Sequence, residues 1–275
     1  MQIKRIAISI FILAFAAACS DEDLDPAEIN EVIIEGYLYA GASIDSMKVS
    51  QLIPFITDED ESYEITDANV NIRWAGNSFK LTPSQKNPGN YIYEDTDLRI
   101  VEGETYELNV EYFDKSVTAS TTVPARPVDL EISMDTLEIE PIDDFQDIFN
   151  QVEAEALEIY WSNDVADYYY VLLENIEADP EEINTLDFDG FGDRNFSFVT
   201  EPTNLDFYNV NVFSLTQYGT YRAVVFHVSQ EYVDLYETAE QDSRNLTEPL
   251  SNIENGLGIF TSFSSDTIYF EIVKP

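Results

Sequence analysis

Short runs of alternating apolar and polar residues are the feature that most restricts what this chain can fold into. In the clearest run, at residues 105–112, Tyr106, Leu108, Val110 and Tyr112 alternate with polar residues. A period of two places the apolar side chains on one face of a strand. Similar runs recur along the chain with turn residues between them, at the spacing of about 8–12 residues that is typical of sandwiches. We therefore predict an all-β protein of two tandem immunoglobulin/fibronectin-III-like β-sandwich domains.

The division into two domains follows from two closely spaced prolines. Pro124 and Pro127 interrupt the strand pattern and mark residues 124–127 as a linker. The N-terminal sandwich is then residues 29–123 and the C-terminal one residues 128–275. The predicted strands lie at residues 32–39, 46–52, 68–74, 78–81, 91–93, 105–112, 117–123, 157–161, 168–174, 209–215, 221–228, 258–263 and 266–273.

The C-terminal half has further features of its own. A strand that ends in Trp161, a short turn and the aromatic strand at 168–174 resemble the second and third strands of a fibronectin type III domain. Residues 177–205 are acidic, and we predict that they form a long insertion. Ser229 has the character of an N-cap and predicts one short helix after it, and the spacing within 143–156 suggests another.

The N-terminus has the order of a secretory signal. Lys4 and Arg5 precede an apolar run that is too short to span a membrane, and small residues follow it. Cys19, the only cysteine, stands where a signal peptidase would cut. This arrangement resembles a bacterial lipobox, with Ala16 where Leu is commonest. We predict a signal peptide at 1–18 and lipidation of Cys19; the alternative is ordinary cleavage nearby with Cys19 incidental.

Acidic residues follow the cysteine and dominate the whole chain. Ser20, Asp21, Glu22 and Asp23 resemble the export signal that sends Bacteroidota lipoproteins to the cell exterior; the alternative is a solvated linker within an acidic tether at 19–28. Without residues 1–18 the chain carries 11 cations against 54 acids, a formal charge of −43. Such a polyanion is repelled by phosphate, so a nucleic-acid partner is excluded.

The residue types needed for catalysis are scarce. His227 is the only histidine and lies within a predicted strand, where a structural role is more common. There is no Gly-x-Ser-x-Gly elbow and no phosphate-binding loop with Gly-Lys. Close pairs of carboxylates must occur among 54 acids, so no single pair is informative. We expect a non-enzymatic protein without an organic cofactor.

One local pattern has the chemistry of a cation site. Asp187, Asp189 and Asp193 alternate with Gly190 and Gly192, which allows a loop to wrap around a hard cation such as calcium. The third ligand position of an EF-type loop and its final Glu are missing. Calcium is therefore a candidate ligand, and a solvated acidic turn is the alternative.

The aromatic run at residues 168–170 is a candidate binding surface. Tyr168 and Tyr170 alternate with Tyr169, so one part of the run faces a core whichever way the strand is turned. Phe188 and Phe191 are near in sequence. A binding surface and a purely structural aromatic cluster both remain open.

Four stretches of sequence resemble one protein family. They are VIIEGY at 32–37, PGNY at 88–91, ETYEL at 104–108 and, most specifically, SNIENGLGIF at 251–260. The family is the Bacteroidota family of two-domain outer-membrane lipoproteins known as domain of unknown function 4249. The resemblance covers nearly all of residues 19–275, and it offers no catalytic residues to transfer.

The resemblance implies a partner, because members are encoded beside TonB-dependent receptors. We expect a lipid-anchored protein on the outer membrane, facing the cell exterior, that acts as an accessory subunit of such a β-barrel. A freestanding adhesin or glycan-binding protein, or a structural subunit of an envelope assembly or secretion machine, are the alternatives.

Lipidation makes a simple prediction about fractionation. Replacing Cys19 by alanine removes the only thiol that can be acylated, so Cys19→Ala should move the protein from the membrane to the soluble fraction and abolish incorporation of labelled fatty acid. Fractionation followed by immunoblotting measures this. If the variant stays with the membrane, the lipoprotein interpretation fails.

Overall fold

The computed structural model describes residues 31–52, 63–142, 156–183, 197–211, 215–239 and 251–275. Within these residues, sixteen strands form three sheets, and one helix lies in the C-terminal half. This confirms the prediction of an all-β protein of sandwich type with one short helix. The second suggested helix, at 143–156, lies almost entirely outside the described residues.

The first sandwich is formed by strands β1 to β8. One of its sheets has the order β1, β2, β6, β5 and the other has the order β4, β3, β7, β8. The strands are β1 (Val32–Tyr39), β2 (Met47–Gln51), β3 (Asn69–Trp74), β4 (Asn77–Lys80), β5 (Thr82–Pro83), β6 (Asn90–Ile92), β7 (Thr105–Tyr112) and β8 (Lys115–Thr122).

Alternation explains why these strands pack as they do. In β7, Tyr106, Leu108 and Val110 are buried while Glu107 and Glu111 face solvent, as the sequence predicts. The inward side chains of the two sheets form one core, whose centre is made of Val32, Ile34, Met47, Val49, Val70, Ile72, Leu108 and Val110.

The second sandwich packs a small sheet against part of a large one. The small sheet has the order β14, β11, β9. Its partner contains β13, β12, β15 and β16, with β10 paired to the end of β16. The strands are β9 (Glu131–Ile132), β10 (Thr136–Glu138), β11 (Leu157–Tyr160), β12 (Tyr168–Asn175), β13 (Ser197–Val199), β14 (Phe207–Val210), β15 (Gly219–Val228) and β16 (Leu257–Val273).

Both sandwiches contain a tyrosine corner. The Tyr106 hydroxyl, near the start of β7, donates to the Arg99 carbonyl and accepts from the Val101 N–H at 2.9 Å. The Tyr221 hydroxyl, near the start of β15, donates to the Gln217 carbonyl at 2.9 Å. A buried tyrosine that fixes the chain just before its strand in this way is typical of immunoglobulin-like sandwiches.

Strand β16 joins the two sandwiches. Its first half, residues 257–263, pairs in parallel with β1, and its second half, from Phe263 onward, pairs antiparallel with β15. The two sheets therefore merge into one sheet of nine strands. Phe260 belongs to the first core, whereas Phe270 and Ile272 belong to the second.

The length of β16 differs from the sequence prediction. Residues 258–263 and 266–273 were expected as separate pieces, but they form one strand of 17 residues. From Ile259 to Ser264 every residue is buried, since both faces of the sheet are covered there. Thr261 is bonded to Ser229 and Ser262 to Thr121, so their hydroxyls are satisfied inside the protein.

The segment before β16 is tied to the first sandwich. The Asn252 side chain accepts from the Phe260 N–H at 2.9 Å and donates to the Phe260 carbonyl at 2.6 Å, as a neighbouring strand would. Ile253 is buried in the first core, and Glu254 bridges to Thr118 of β8. The SNIENGLGIF stretch is thus the structural joint between the sandwiches.

The predicted helix is present and is labelled α1 (Gln230–Ala239). The Ser229 carbonyl accepts from the N–H groups of Tyr232 and Val233, which places Ser229 at the helix start as expected. Its hydroxyl, however, bonds Thr261 of β16 at 2.6 Å. Ser229 therefore attaches the helix to the joining strand.

Gly258 permits the close contact between β16 and β1, and this gives a test of the joint. Its φ is +101°, and a Cβ atom there would lie 2.0 Å from the Ile34 carbonyl oxygen. We expect Gly258→Ala to lower the free energy of unfolding by more than about 4 kcal/mol, the range of severe backbone and packing defects. Denaturant unfolding of purified protein measures this.

A matched control separates the steric clash from backbone strain. Gly103 also has a positive φ, +78°, but open space surrounds its Cβ position. Gly103→Ala should cost only the strain of a left-handed residue, about 1–2 kcal/mol. Equal losses in the two variants would contradict the close contact as the cause.

Candidate functional site: an aromatic face at the junction

Most site residues predicted from the sequence fall outside the described residues. These are the lipidation site, the export signal and the candidate calcium ligands, namely Cys19, Ser20, Asp21, Glu22, Asp23, Asp187, Asp189 and Asp193. They remain predictions. Of the acidic insertion at 177–205, residues 184–196 are also outside, while residues 197–199 form the edge strand β13 beside β12.

His227 is positioned by the linker. Its Nδ1 lies 2.7 Å from the Ala125 carbonyl oxygen, and its Nε2 lies 3.2 Å from an Asp167 carboxylate oxygen. The ring stacks on Tyr169 with centroids 4.6 Å apart, and only 9% of the residue is exposed. Ser264 also donates to the Ala125 carbonyl, at 2.7 Å. These contacts fix residues 124–127 against the nine-stranded sheet.

The Tyr168–Tyr170 run divides between two environments, as alternation requires. Tyr169 is buried in the second core, where it packs against Trp161 with ring centroids 5.5 Å apart. Tyr168 and Tyr170 lie on the opposite face of the sheet and are only partly buried. The run is therefore partly core and partly surface.

Tyr168 and Tyr170 belong to a larger surface that we call the junction face. It is a row of aromatic side chains that crosses four neighbouring strands of the nine-stranded sheet and is covered in part by α1. Its members are Tyr37 and Tyr39 of β1, Tyr168 and Tyr170 of β12, Phe226 of β15, Phe263 of β16 and Tyr232 of α1.

Phe263 is the centre of the junction face. It stacks on Tyr39 at a centroid distance of 5.2 Å and meets Tyr232 of the helix edge-on at 5.1 Å. Tyr170 and Phe226, which are directly opposite in register, stack at 4.7 Å. Aromatic pairs at such distances each add about 0.5–1.5 kcal/mol beyond the burial of their area. Both sandwiches contribute strands to this cluster.

Four hydroxyl groups of the junction face, those of Tyr37, Tyr39, Tyr170 and Tyr232, have a raised pKa and keep their protons to a higher pH than an ordinary tyrosine. Burial raises the pKa of Tyr170, and the nearby hydroxyls of Tyr39 and Tyr232 raise it further. Burial is also the main cause of the raised pKa of Tyr37, Tyr39 and Tyr232. These hydroxyls can donate hydrogen bonds, yet Tyr39 keeps 41% of its surface exposed. The face can thus offer a partner both apolar rings and hydroxyl donors.

The described residues contain neither a metal-binding cluster nor a membrane-spanning helix. No three His, Cys, Asp or Glu side chains are grouped there so as to hold a metal ion. In the same part of the chain, no helix is long and apolar enough to cross a membrane.

Sequence reasoning found only part of the junction face. The spacing of Tyr168 and Tyr170 predicts that they share a face, and Tyr37 and Tyr39 have the same spacing. What the sequence does not reveal is that these pairs meet, because their strands are joined through β16 at the far end of the chain.

Comparisons with known proteins show a family and a distant structural likeness. The family model described as Domain of unknown function (DUF4249) matches residues 21–268. No curated protein matches. Among solved structures, the FN1–FN3 domains of chicken CNTN1 match 88% of this chain and 67% of that chain at 11% identity and a TM-score of 0.29. The sandwich assignment rests on the sheet topology and the two tyrosine corners.

The raised pKa values of Tyr37, Tyr39, Tyr170 and Tyr232 predict a loss of stability in alkali. A tyrosine whose pKa is higher in the folded state stabilises the fold fully below its unfolded pKa, about 10, and less as pH rises beyond it. Tyr170→Phe keeps the ring but removes one such hydroxyl. We expect the variant to lose less stability than the wild type between pH 9 and about 12, measured by urea unfolding.

Tyr269→Phe is the matched control for this experiment. Tyr269 is 53% exposed and lies outside the junction face, so its replacement should leave the alkaline loss as it is in the wild type. If Tyr170→Phe and the wild type lose stability in parallel, the buried hydroxyl of Tyr170 is not a source of the effect.

Proposed function

The chain belongs to the domain of unknown function 4249 family, and from that premise we propose that it is a surface-exposed, lipid-anchored outer-membrane protein. In this proposal it acts without catalysis, as an accessory subunit of a TonB-dependent receptor or a related barrel complex. It contributes to ligand capture or to assembly of the complex. The anchor is Cys19, and Ser20, Asp21, Glu22 and Asp23 direct the protein to the exterior.

The junction face is the observation that supports a docking role. Solvent-accessible aromatic side chains that also carry a polar group are enriched at protein interfaces, where they bring a large contact area at a low entropic cost. Tyr39 projects from the rim of the face, and Tyr168, Tyr170 and Tyr232 are each partly buried. The face lies where the two sandwiches meet, so one partner surface can contact both.

The position of the anchor is compatible with docking beside a membrane protein. Eleven residues separate Cys19 from Glu31, which limits the reach of the tether to about 40 Å. The tether leads directly into β1, and that strand ends at Tyr39 on the junction face. A lipidated Cys19 would therefore hold the start of β1 within about 40 Å of the membrane surface, where a barrel exposes its outer loops.

Co-purification in mild detergent tests the proposal. We expect the full-length lipoprotein to recover an outer-membrane β-barrel in stoichiometric amount. Tyr39→Ala should reduce this recovery by about tenfold or more, since truncation of an aromatic hot spot at an interface costs about 2 kcal/mol or more. Quantitative mass spectrometry of the purified complex measures both results, and thermal unfolding verifies that the variant is folded.

Phe113→Ala is the matched control. Phe113 is 86% exposed, at the turn between β7 and β8 and away from the junction face, so its loss should leave recovery unchanged. A solitary lipoprotein would overturn the accessory role and favour a freestanding adhesin. A large set of envelope proteins in place of one barrel would favour a structural subunit. Undiminished recovery with Tyr39→Ala would overturn the use of the junction face.

A further inference from the structure

The first sandwich carries a polar cleft on the outer face of its second sheet. The cleft has a volume of about 310 Å³ and lies where β3, β7 and β8 meet the segment that contains Asn252 and Glu254. This sheet has no strand in common with the nine-stranded sheet that bears the junction face. The cleft is therefore separate from the site described above.

Two rows of side chains form the cleft, and cross-strand register determines both. Arg73, Glu107 and Ser120 stand directly opposite one another on β3, β7 and β8 and make the first row. Asn109 and Thr118 make the second row. With Asn252 and Glu254 from the neighbouring segment, the polar lining consists of one guanidinium, two carboxylates, two amides and two hydroxyls; Leu108 and Ala119 also line the cleft, and no aromatic side chain does.

One wall of the cleft is held in place before any ligand arrives. The main chains of Thr118 and Glu254 exchange hydrogen bonds of 2.8 and 3.1 Å, and the Thr118 hydroxyl donates to the Glu254 carboxylate at 3.1 Å. Asn252 is fixed by its two bonds to Phe260. A wall that needs no reordering lowers the entropic cost of binding.

The side chains of the first row, in contrast, are not held by hydrogen bonds or ion pairs to other described residues. Arg73, Glu107 and Ser120 are exposed, and none of the three makes a side-chain hydrogen bond or ion pair within the described part of the chain. Five of the nine Lys and Arg side chains in the described residues pair with a carboxylate, namely Lys48, Lys115, Arg126, Arg222 and Lys274, whereas Arg73, Lys80, Lys86 and Arg99 do not. Arg73 and Glu107 face each other without forming such a pair.

We propose that this cleft binds a single carboxylate-bearing sugar, such as a uronic acid residue within an otherwise neutral glycan. The planar guanidinium of Arg73 matches a carboxylate in two parallel hydrogen bonds. Glu107, Asn109 and Ser120 supply acceptors and donors for the ring hydroxyls next to it. An apolar ligand would leave these groups unpaired.

The size and the charge of the cleft further restrict which ligands it can bind. A volume of 310 Å³ is at the lower end of ligand pockets and suits one or two sugar rings. The formal charge of the whole chain is −41, and Glu107 and Glu254 both line the cleft, so polyanions are repelled, whereas a single carboxylate can pair with Arg73. The inference goes beyond the proposed accessory role and does not depend on a barrel partner.

Two sugars that differ only in the carboxylate test the proposal. Methyl β-D-glucuronide and methyl β-D-glucoside are titrated into the detergent-solubilised, full-length protein and followed by calorimetry and saturation-transfer NMR. We expect the glucuronide to bind about tenfold or more tightly than the glucoside, since a hydrogen bond to a charged group contributes that much. Arg73→Gln should remove this preference, and Ser120→Trp should block the cleft.

Lys80→Gln is the control for general attraction to a positive surface. Lys80 lies on the same outer sheet face but outside the cleft, so its loss should change the glucuronide affinity less than twofold. Equal affinity for the two sugars, no binding of either, or equal losses with Arg73→Gln and Lys80→Gln would each overturn the proposal. Any of these failures would leave the barrel co-purification result unaffected.

Discussion

The parallel pairing of β16 with β1 is the constraint on which the rest of the structure depends. It brings the last strand of the second sandwich into the first, more than 200 residues away in sequence, and Gly258 allows the two backbones to approach. Each half of β16 then packs in a different core. Because neither core is complete without this strand, the hydrophobic burial that stabilises one sandwich also fixes the other.

The same pairing explains which parts of the fold the sequence could predict. Strands such as β7 have one solvent-exposed face and one buried face, so apolar and polar residues alternate in their sequence. The predicted positions of these strands are correct for that reason. The middle of β16 is buried on both faces. Thr261 and Ser262 lie there and are fully buried although they are polar residues. Their burial depends on Ser229 and Thr121, which no local pattern connects with them.

The same distinction between local pattern and long-range contact applies to the candidate site. A period of two in Tyr168 and Tyr170 correctly predicted that one part of the aromatic run faces a core and another part faces outward. Their actual neighbours, Phe263 and Tyr39, are brought beside them only by the order of strands in the merged sheet. Local spacing predicts which side chains share a face, whereas long-range pairing decides which faces become continuous.

A continuous face is ordered before a partner binds, which would not hold for two linked sandwiches that move independently. When two domains move freely, binding of a partner to both is opposed by the entropy that is lost as their orientation becomes fixed. Here β16 crosses the junction, and Phe263 at its centre contacts Tyr39 of the first sandwich and Phe226 of the second. Their relative orientation is set during folding, so the aromatic row is already ordered in the free protein. A docking surface built this way favours a rigid partner whose shape matches both sandwiches at once.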